Sequence, residues 1–378
     1  MKLSTAPFKS ICLTNILFML FFLLSMPSSA QTLIDSSCTK YFQITDRLKK
    51  GDTLSRTDWK KFISDKAIVD YMNDQGVDEA YFESYRKNMQ IVYMPQNEVL
   101  LQKRLTEPFK YWLTYMIYQY KKNETGMKAY LQRIENDPQA YFNTCYQYAY
   151  TALPKSAHKK LPELKVAIIP IHNDAHAQDG LIIYTLLCAY MNDYNRPGAL
   201  GGHELHHMLR PQPNFEIKAE DDGVVMAMYR VLNEGSADMV DKKYMTDTAS
   251  RLLPTQRYYQ EFFDEGKKIL PHMDSLLQTG PELWTKLKTR EFFEGTPYSS
   301  GHVPGTYMSH YIEKNDMKTD LLKSLDDPFY FFLIYDRAAK KDKDHPFSFS
   351  TTAIKNIKQL RKKYISTSAG TKNSGSSR

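Results

Sequence analysis

The segment LGGHELHHML, residues 200–209, places three histidines and one glutamate within five consecutive positions. His203 and His207 are four residues apart, and on a helix such residues lie one above the other. Their imidazole nitrogens could therefore bind one zinc ion at about 2.0–2.1 Å. Glu204 would be turned about 100° around the helix from His203. That direction suits a base acting on a water molecule better than a metal ligand.

His206 would be turned about 100° back from His207, so we interpret it as a bystander of this site. The pattern H-E-x-x-H also arises by chance, and a surface helix with two unrelated histidines is the alternative. A catalytic zinc site needs a third protein ligand and an open position. The extended pattern with a glycine and a third histidine fails here, because Arg210 and Pro213 occupy those positions.

A second motif, NEGSAD at residues 233–238, follows on another predicted helix. It places Glu234 and Asp238 four residues apart, on one helix face. Glu234 could supply the missing carboxylate ligand. Asp238 could accept a hydrogen bond from the other ring N–H of a ligating histidine and so fix its tautomer.

Together, His203-Glu204-x-x-His207 and Asn233-Glu234-x-x-x-Asp238 resemble the motifs of gluzincins, the thermolysin-like class of zinc metallopeptidases. More narrowly, the chain is similar to a bacterial family of zinc-dependent peptidases, mainly over residues 160–315. The resemblance implies a Zn²⁺ ion bound by two histidines and a glutamate. It also implies hydrolysis of peptide bonds by a zinc-activated water, with Glu204 as the general base.

The resemblance further implies a tyrosine or histidine, C-terminal to the glutamate ligand, that stabilises the oxyanion of the reaction. The segment 295–311 carries the candidates, of which we place His302 first and Tyr298 second. The similar family favours a tyrosine before a P-x-G-like turn, whereas HVPG places a histidine there. An ordinary junction between a loop and a helix is the alternative for this segment.

Apolar residues at three- and four-residue spacing predict helices over most of the chain. Two β-rich runs, 164–171 and 180–187, predict a small sheet just before the histidine motif. The predicted fold is α+β and predominantly helical, with a zincin-like catalytic core. We predict that the second run is a sheet edge that pairs with the substrate backbone. The segment between the runs, with His172, Asp174 and His176, is predicted to be a solvated loop, or else an accessory calcium or zinc contact.

The predicted organisation has four parts. Residues 1–30 have the basic, apolar and small-residue order of a secretory signal peptide. A mostly helical region spans 31–160, and the catalytic region spans 161–365. Residues 366–378, rich in Ser and Gly, are predicted to be a disordered tail.

Composition limits the possible partners. The net charge of +7 is spread along the chain, which gives no prediction of nucleic-acid binding. No stretch after residue 30 is long and apolar enough to span a membrane. Three cysteines, Cys38, Cys145 and Cys188, follow the predicted cleavage site; this odd number is no disulfide framework, although one pair is possible.

The sequence therefore predicts an exported zinc metallopeptidase, periplasmic or secreted, that acts on a peptide or protein substrate. The alternative is a binding protein on a zincin scaffold with little or no turnover. A third interpretation makes the zinc structural and the N-terminal helices a docking module for a partner. Endo- or exopeptidase action and the oligomeric state stay open.

Overall fold

A computed structural model describes residues 31–193, 195–245, 251–296 and 300–371. The strands are β1 (Thr32–Ile34), β2 (Lys165–Ile169), β3 (Ala175–Gln178) and β4 (Leu181–Thr185). The helices up to the histidine motif are α1 (Ser36–Lys49), α2 (Arg56–Ile63), α3 (Lys66–Asp74), α4 (Glu79–Tyr93), α5 (Glu98–Leu105), α6 (Trp112–Lys122), α7 (Glu124–Asn136), α8 (Pro138–Tyr150), α9 (Leu186–Asp193) and α10 (Ala199–Leu209). The later helices are α11 (Asp222–Asp241), α12 (Tyr258–Gln278), α13 (Pro281–Trp284), α14 (His302–Lys314), α15 (Lys318–Leu322), α16 (Pro328–Lys341) and α17 (Thr351–Thr371).

Helices dominate, and one small sheet precedes α10 in the chain, so the predicted helical α+β class is confirmed. The sheet order is β1-β2-β4-β3, with β2 parallel to β1 and β4, and β3 antiparallel to β4. The β-branched residues of β2 and β4 are buried, which explains why these two runs stand out in the sequence. Strand β1 was not predicted, because three residues at the start of a helical region give little signal.

The strand at the edge of the sheet is not the one that the sequence predicted. Strand β4 lies between β2 and β3, so the run 180–187 is an inner strand and not the sheet edge. The edge next to α10 is β3, which comes from the segment predicted to be a solvated loop. That segment is held in place: the hydroxyl of Tyr120 donates to the carbonyl oxygen of His172 at 2.8 Å. Within the described residues, no group with metal-ligand spacing includes His172, Asp174 or His176.

Helix α10 packs against α8 across two glycines. A Cβ atom on Gly202 would come within 2.5 Å of the Cβ of Tyr148 and 3.0 Å of the amide nitrogen of Ala149. The paired glycines of LGGHE therefore let the two helices approach closely. Because α8 belongs to the N-terminal helical region, that region supports the histidine motif directly.

The ends of the chain complete the fold. Helix α17 has its last residue at Thr371, and residues 372–378 of the predicted tail lie outside the described residues. The predicted signal peptide also lies outside them. Cys38, Cys145 and Cys188 are buried and free. None of the described helices combines the length and apolarity needed to cross a membrane.

Candidate metal centre

The Nε2 atoms of the two outer histidines of the motif lie close together. His203 and His207 lie on α10, and their Nε2 atoms are 3.1 Å apart. The helix ends at Leu209, just before Arg210 and Pro211. His203 is buried and His207 is partly buried. The structure thus places both imidazoles on the same side of α10, as their spacing predicts.

Helix α11 brings the third candidate ligand to the same point. The Oε2 atom of Glu234 is 3.4 Å from Nε2 of His207 and 3.8 Å from Nε2 of His203. Its other oxygen, Oε1, accepts a hydrogen bond from the side-chain amide of Asn233 at 3.1 Å. Arg210 in turn donates to Oδ1 of the Asn233 side-chain amide at 3.1 Å. This chain of hydrogen bonds fixes the carboxylate so that one oxygen faces the two imidazoles.

The three side chains fit a zinc ion. His203, His207 and Glu234 each offer one ligand atom, and these atoms lie within 4.8 Å of one another. Two imidazoles and one carboxylate form the ligand set of catalytic zinc sites with an open fourth position. Because Nδ1 of His203 is engaged with a carboxylate, its Nε2 keeps a lone pair for a metal.

The partner of His203 is not the predicted one. Nδ1 of His203 lies 3.0 Å from Oδ1 of Asp241 but 3.6 Å from Oδ1 of Asp238. Asp238, the predicted partner, is within ion-pair distance of this nitrogen but lies farther from it than Asp241 does. Position 241 is one further turn along the same helix and directly faces the ring of His203. The four-residue spacing from Glu234 identified the correct helix face but not the correct turn.

Asp238 instead holds His302, the first candidate for the oxyanion donor. The two oxygens of Asp238 lie 3.0 and 3.1 Å from Nδ1 of His302, and Thr306 donates to Asp238 at 2.5 Å. Nε2 of His302 is 3.4 Å from Oε2 of Glu234, so this ring faces the site. Burial disfavours the imidazolium, but the carboxylates of Asp238 and Glu234 outweigh it and raise the pKa of His302 to about 9.

His302 occupies the first turn of α14. The helix starts there because Gly301 precedes it with φ 107° and Pro304 fits the first turn. Tyr298, the second candidate for the oxyanion donor, lies outside the described residues.

Glu204 and His206, the other two polar residues of the motif, are both buried but have different surroundings. Glu204 is only 6% exposed, and within the described part of the chain no hydrogen bond to its carboxylate is present. His206 is fully buried, with Nε2 3.1 Å from the carbonyl oxygen of Ala152. Burial lowers the pKa of His206 well below its usual range, so it is a neutral residue of the packing between α10 and the end of the N-terminal helices.

A family model described as "Putative zinc dependent peptidase (DUF5700)" matches residues 59–344. The chain belongs to this family. The match reaches further in both directions than the resemblance over 160–315 and covers most of the N-terminal helices. No curated protein and no solved structure matches the chain significantly.

Sequence reasoning missed two charged residues next to the candidate metal centre, Asp241 and Lys242. They follow Glu234 by seven and eight residues. Asp241 ends α11 on the same helix face, two turns after Glu234, and Lys242 begins the next turn. The ammonium of Lys242 is 3.0 Å from Oδ2 of Asp241. The signal was therefore present in the sequence as a continuation of the NEGSAD periodicity.

Proposed function

We propose that this protein is a zinc-dependent peptidase with Zn²⁺ bound by His203, His207 and Glu234. The convergence of these three ligand atoms beside a buried glutamate is the observation that supports the proposal most directly. A zinc ion there would act as a Lewis acid and lower the pKa of water at its open position. Membership of the peptidase family supports the same reaction class.

Glu204 would act as the general base. It directly follows the proposed ligand His203 in the chain, and it is buried without a competing hydrogen bond from the described residues. It would take a proton from the attacking water and then deliver that proton to the leaving amine. The low exposure keeps solvent from competing for the proton.

His302 would stabilise the oxyanion. While Asp238 holds Nδ1–H of the imidazolium, Nε2–H can donate toward the site. A cationic donor in a partly buried position stabilises negative charge that develops on the scissile carbonyl oxygen. Tyr298 stays a second candidate for this role.

Strand β3 would hold the substrate. It is the sheet edge closest to α10, and its free backbone groups can pair with an extended peptide. The proposal therefore moves the predicted substrate edge from β4 to β3.

We also propose that residues 1–30 direct export and are removed after Ala30. Gln31, the next residue, is anchored: its side chain donates to the hydroxyl of Tyr146 at 3.0 Å and to the carbonyl oxygen of Leu161 at 3.2 Å. Cleavage after Ala30 would leave these contacts and β1 intact. N-terminal sequencing of the protein recovered outside the cytoplasm should begin at Gln31; recovery from the cytoplasm alone with residues 1–30 attached would contradict export.

The decisive experiment combines zinc content with cleavage of a mixed peptide library by the wild type and Glu204→Gln. We expect one zinc per chain in both proteins and a loss of about 10²- to 10⁴-fold in kcat for the variant. Glu216→Gln, at an exposed position outside the site, is the matched control and should match the wild type. Equal cleavage by wild type and Glu204→Gln would refute the proposal, and zinc binding without cleavage in the wild type would favour the binding-protein alternative.

A further inference from the structure

Lys242 lies at the end of α11, where it contacts both carboxylates that hold the site histidines. It begins the 3₁₀ turn Lys242–Tyr244 and is only 8% exposed. Its Nζ is 3.0 Å from Oδ2 of Asp241 and 3.6 Å from Oδ1 of Asp238. Among the described residues, these two carboxylates are its ion-pair partners.

Besides the lysine, each of the two carboxylates contacts a different imidazole. Asp241 presents Oδ1 to Nδ1 of His203 and Oδ2 to the lysine. Asp238 binds Nδ1 of His302 and receives a further hydrogen bond from Thr306. One ammonium therefore connects the support of a metal ligand with the support of the proposed oxyanion donor.

The negative charge of the two buried aspartates gives a physical reason for a lysine at position 242. Asp238 and Asp241 are 2% and 3% exposed, and two buried carboxylates so close together repel each other. A buried charge without a partner is costly, and breaking a buried pair commonly costs several kcal/mol. Without the ammonium, the carboxylates would separate, take up protons or admit water, and each change would turn an imidazole away from its present direction.

We propose that Lys242 is a positioning residue that orients His203 and His302 by neutralising Asp241 and Asp238. The inference rests on the proposed zinc site. Among the described residues, no hydrogen bond or ion pair joins the lysine to His203, His207 or Glu234, so it acts only through the two carboxylates. Supporting contacts of this kind change metal affinity or activity by about 10- to 100-fold when they are removed.

The experiment compares Lys242→Met with Lys242→Arg, and uses Lys243→Met as the matched control. Lys243 lies in the same turn, but its ammonium packs over the ring of Tyr244 at 5.3 Å. We expect Lys242→Met to weaken zinc binding about 10- to 100-fold in competition with a chelator, and to lower kcat. Lys242→Arg, which keeps the charge, should recover most of both, and Lys243→Met should change neither. Lys242→Gln replaces Lys242→Met if the latter does not fold, with the same expected direction.

A second measurement separates positioning from simple stabilisation. If Lys242 acts on the metal through Asp241, Lys242→Met and Asp241→Asn should be non-additive in zinc affinity, because the second change removes a support already lost. Additive losses would overturn the inference. So would a Lys242→Met protein with a lowered melting temperature but wild-type zinc affinity and kcat.

The two proposals fail in different ways. A wild type that binds zinc but cleaves no peptide contradicts the peptidase function, while the zinc affinities of the Lys242 variants still decide the positioning role. A wild type that binds no zinc contradicts the metal site itself.

Discussion

Nδ1 of His302 lies 3.0 and 3.1 Å from the two carboxylate oxygens of Asp238, one turn of α11 beyond the proposed ligand Glu234. Its neighbour in the site, His203, is held instead by Asp241 at 3.0 Å. Two aspartates on one helix face therefore support two histidines with different proposed tasks. Metal binding and turnover should respond separately to these aspartates.

The first prediction concerns this division of tasks, in which Asp241 supports His203 and Asp238 supports His302. Asp241→Asn should weaken zinc binding about 10- to 100-fold, because the amide no longer supports His203 as a charged acceptor. Asp238→Asn should keep zinc affinity within about threefold and lower kcat instead, because it removes the partner of His302. Chelator competition and steady-state kinetics on both variants measure these effects. Equal losses of zinc affinity in the two variants would contradict the division.

The second prediction concerns His302 and pH. Burial opposes its charge, but Asp238 and Glu234 raise its pKa to about 9, so the imidazolium persists at neutral pH. In the metal-free protein, the proton on Nε2 is lost as pH rises through about 9 while Nδ1–H stays with Asp238. Zinc bound by Glu234 would offset part of this stabilisation, so kcat should fall along an alkaline limb that lies below that pH. His302→Gln should lower kcat about 10²- to 10³-fold and remove this alkaline limb.

The control for His302 lies on the same helix. His310 contacts Tyr259 through Nδ1 at 3.2 Å and has no contact with the ligand atoms in the described structure. His310→Gln should therefore keep the wild-type pH profile. An unchanged alkaline limb in His302→Gln would remove His302 from the reaction.

The third prediction tests how closely α11 and α14 must pack. A Cβ on Gly305 would come within 2.6 Å of the amide nitrogen of Gly235 and 2.7 Å of the carbonyl oxygen of Val231. Both atoms belong to backbone and cannot move aside cheaply. Gly305→Ala should lower the free energy of unfolding by about 1–3 kcal/mol. It should also weaken zinc binding, because Gly235 follows Glu234 directly.

Urea unfolding with and without zinc measures both parts of that prediction. Gly76→Ala is the control, since its Cβ would meet no atom and its cost comes only from a φ of 61°. A Gly305→Ala protein with wild-type stability would show that the two helices can separate without penalty.

Helical periodicity explains which parts of the site the sequence predicts. Spacing of four residues places His203 and His207 on one face, and it sets His206 aside, because both statements concern a single helix. The partner of each aspartate depends on how α10, α11 and α14 cross. That crossing is set by packing at glycines such as Gly235, which no local pattern encodes.

The sheet shows the same limit. The apolar runs predict β2 and β4 because both are buried, but strand order is a long-range property. The edge strand β3 consists of Ala, His and Gln, so its composition resembles a loop. Strand β1 depends on pairing with β2, far along the chain. Buried strands were therefore predictable, whereas the edges that could bind substrate were not.

The last prediction concerns Asp193, the fully buried last residue of α9, whose side chain contacts the start of α10. Its carboxylate accepts hydrogen bonds from the backbone N–H groups of Gly198 and Leu200 at 2.9 and 2.7 Å, and from the hydroxyls of Tyr130 and Tyr141 at 3.1 and 3.0 Å. Burial raises the pKa of Asp193 to about 6, although these hydrogen bonds act in the opposite direction. The folded chain therefore holds this proton more tightly than the unfolded chain.

Because the folded-state pKa lies above the unfolded value, the stabilisation from Asp193 is complete below the unfolded pKa and is lost as pH rises through about 6. The shift corresponds to about 3 kcal/mol, of which roughly half is lost between about pH 5 and pH 7.5. Asp193→Asn cannot titrate, so the wild-type free energy of unfolding minus that of the variant should fall across this range. Urea unfolding of both metal-free proteins at several pH values measures the difference. A difference that stays constant with pH would show that the carboxylate has an ordinary pKa, and that its four hydrogen bonds fully offset its burial.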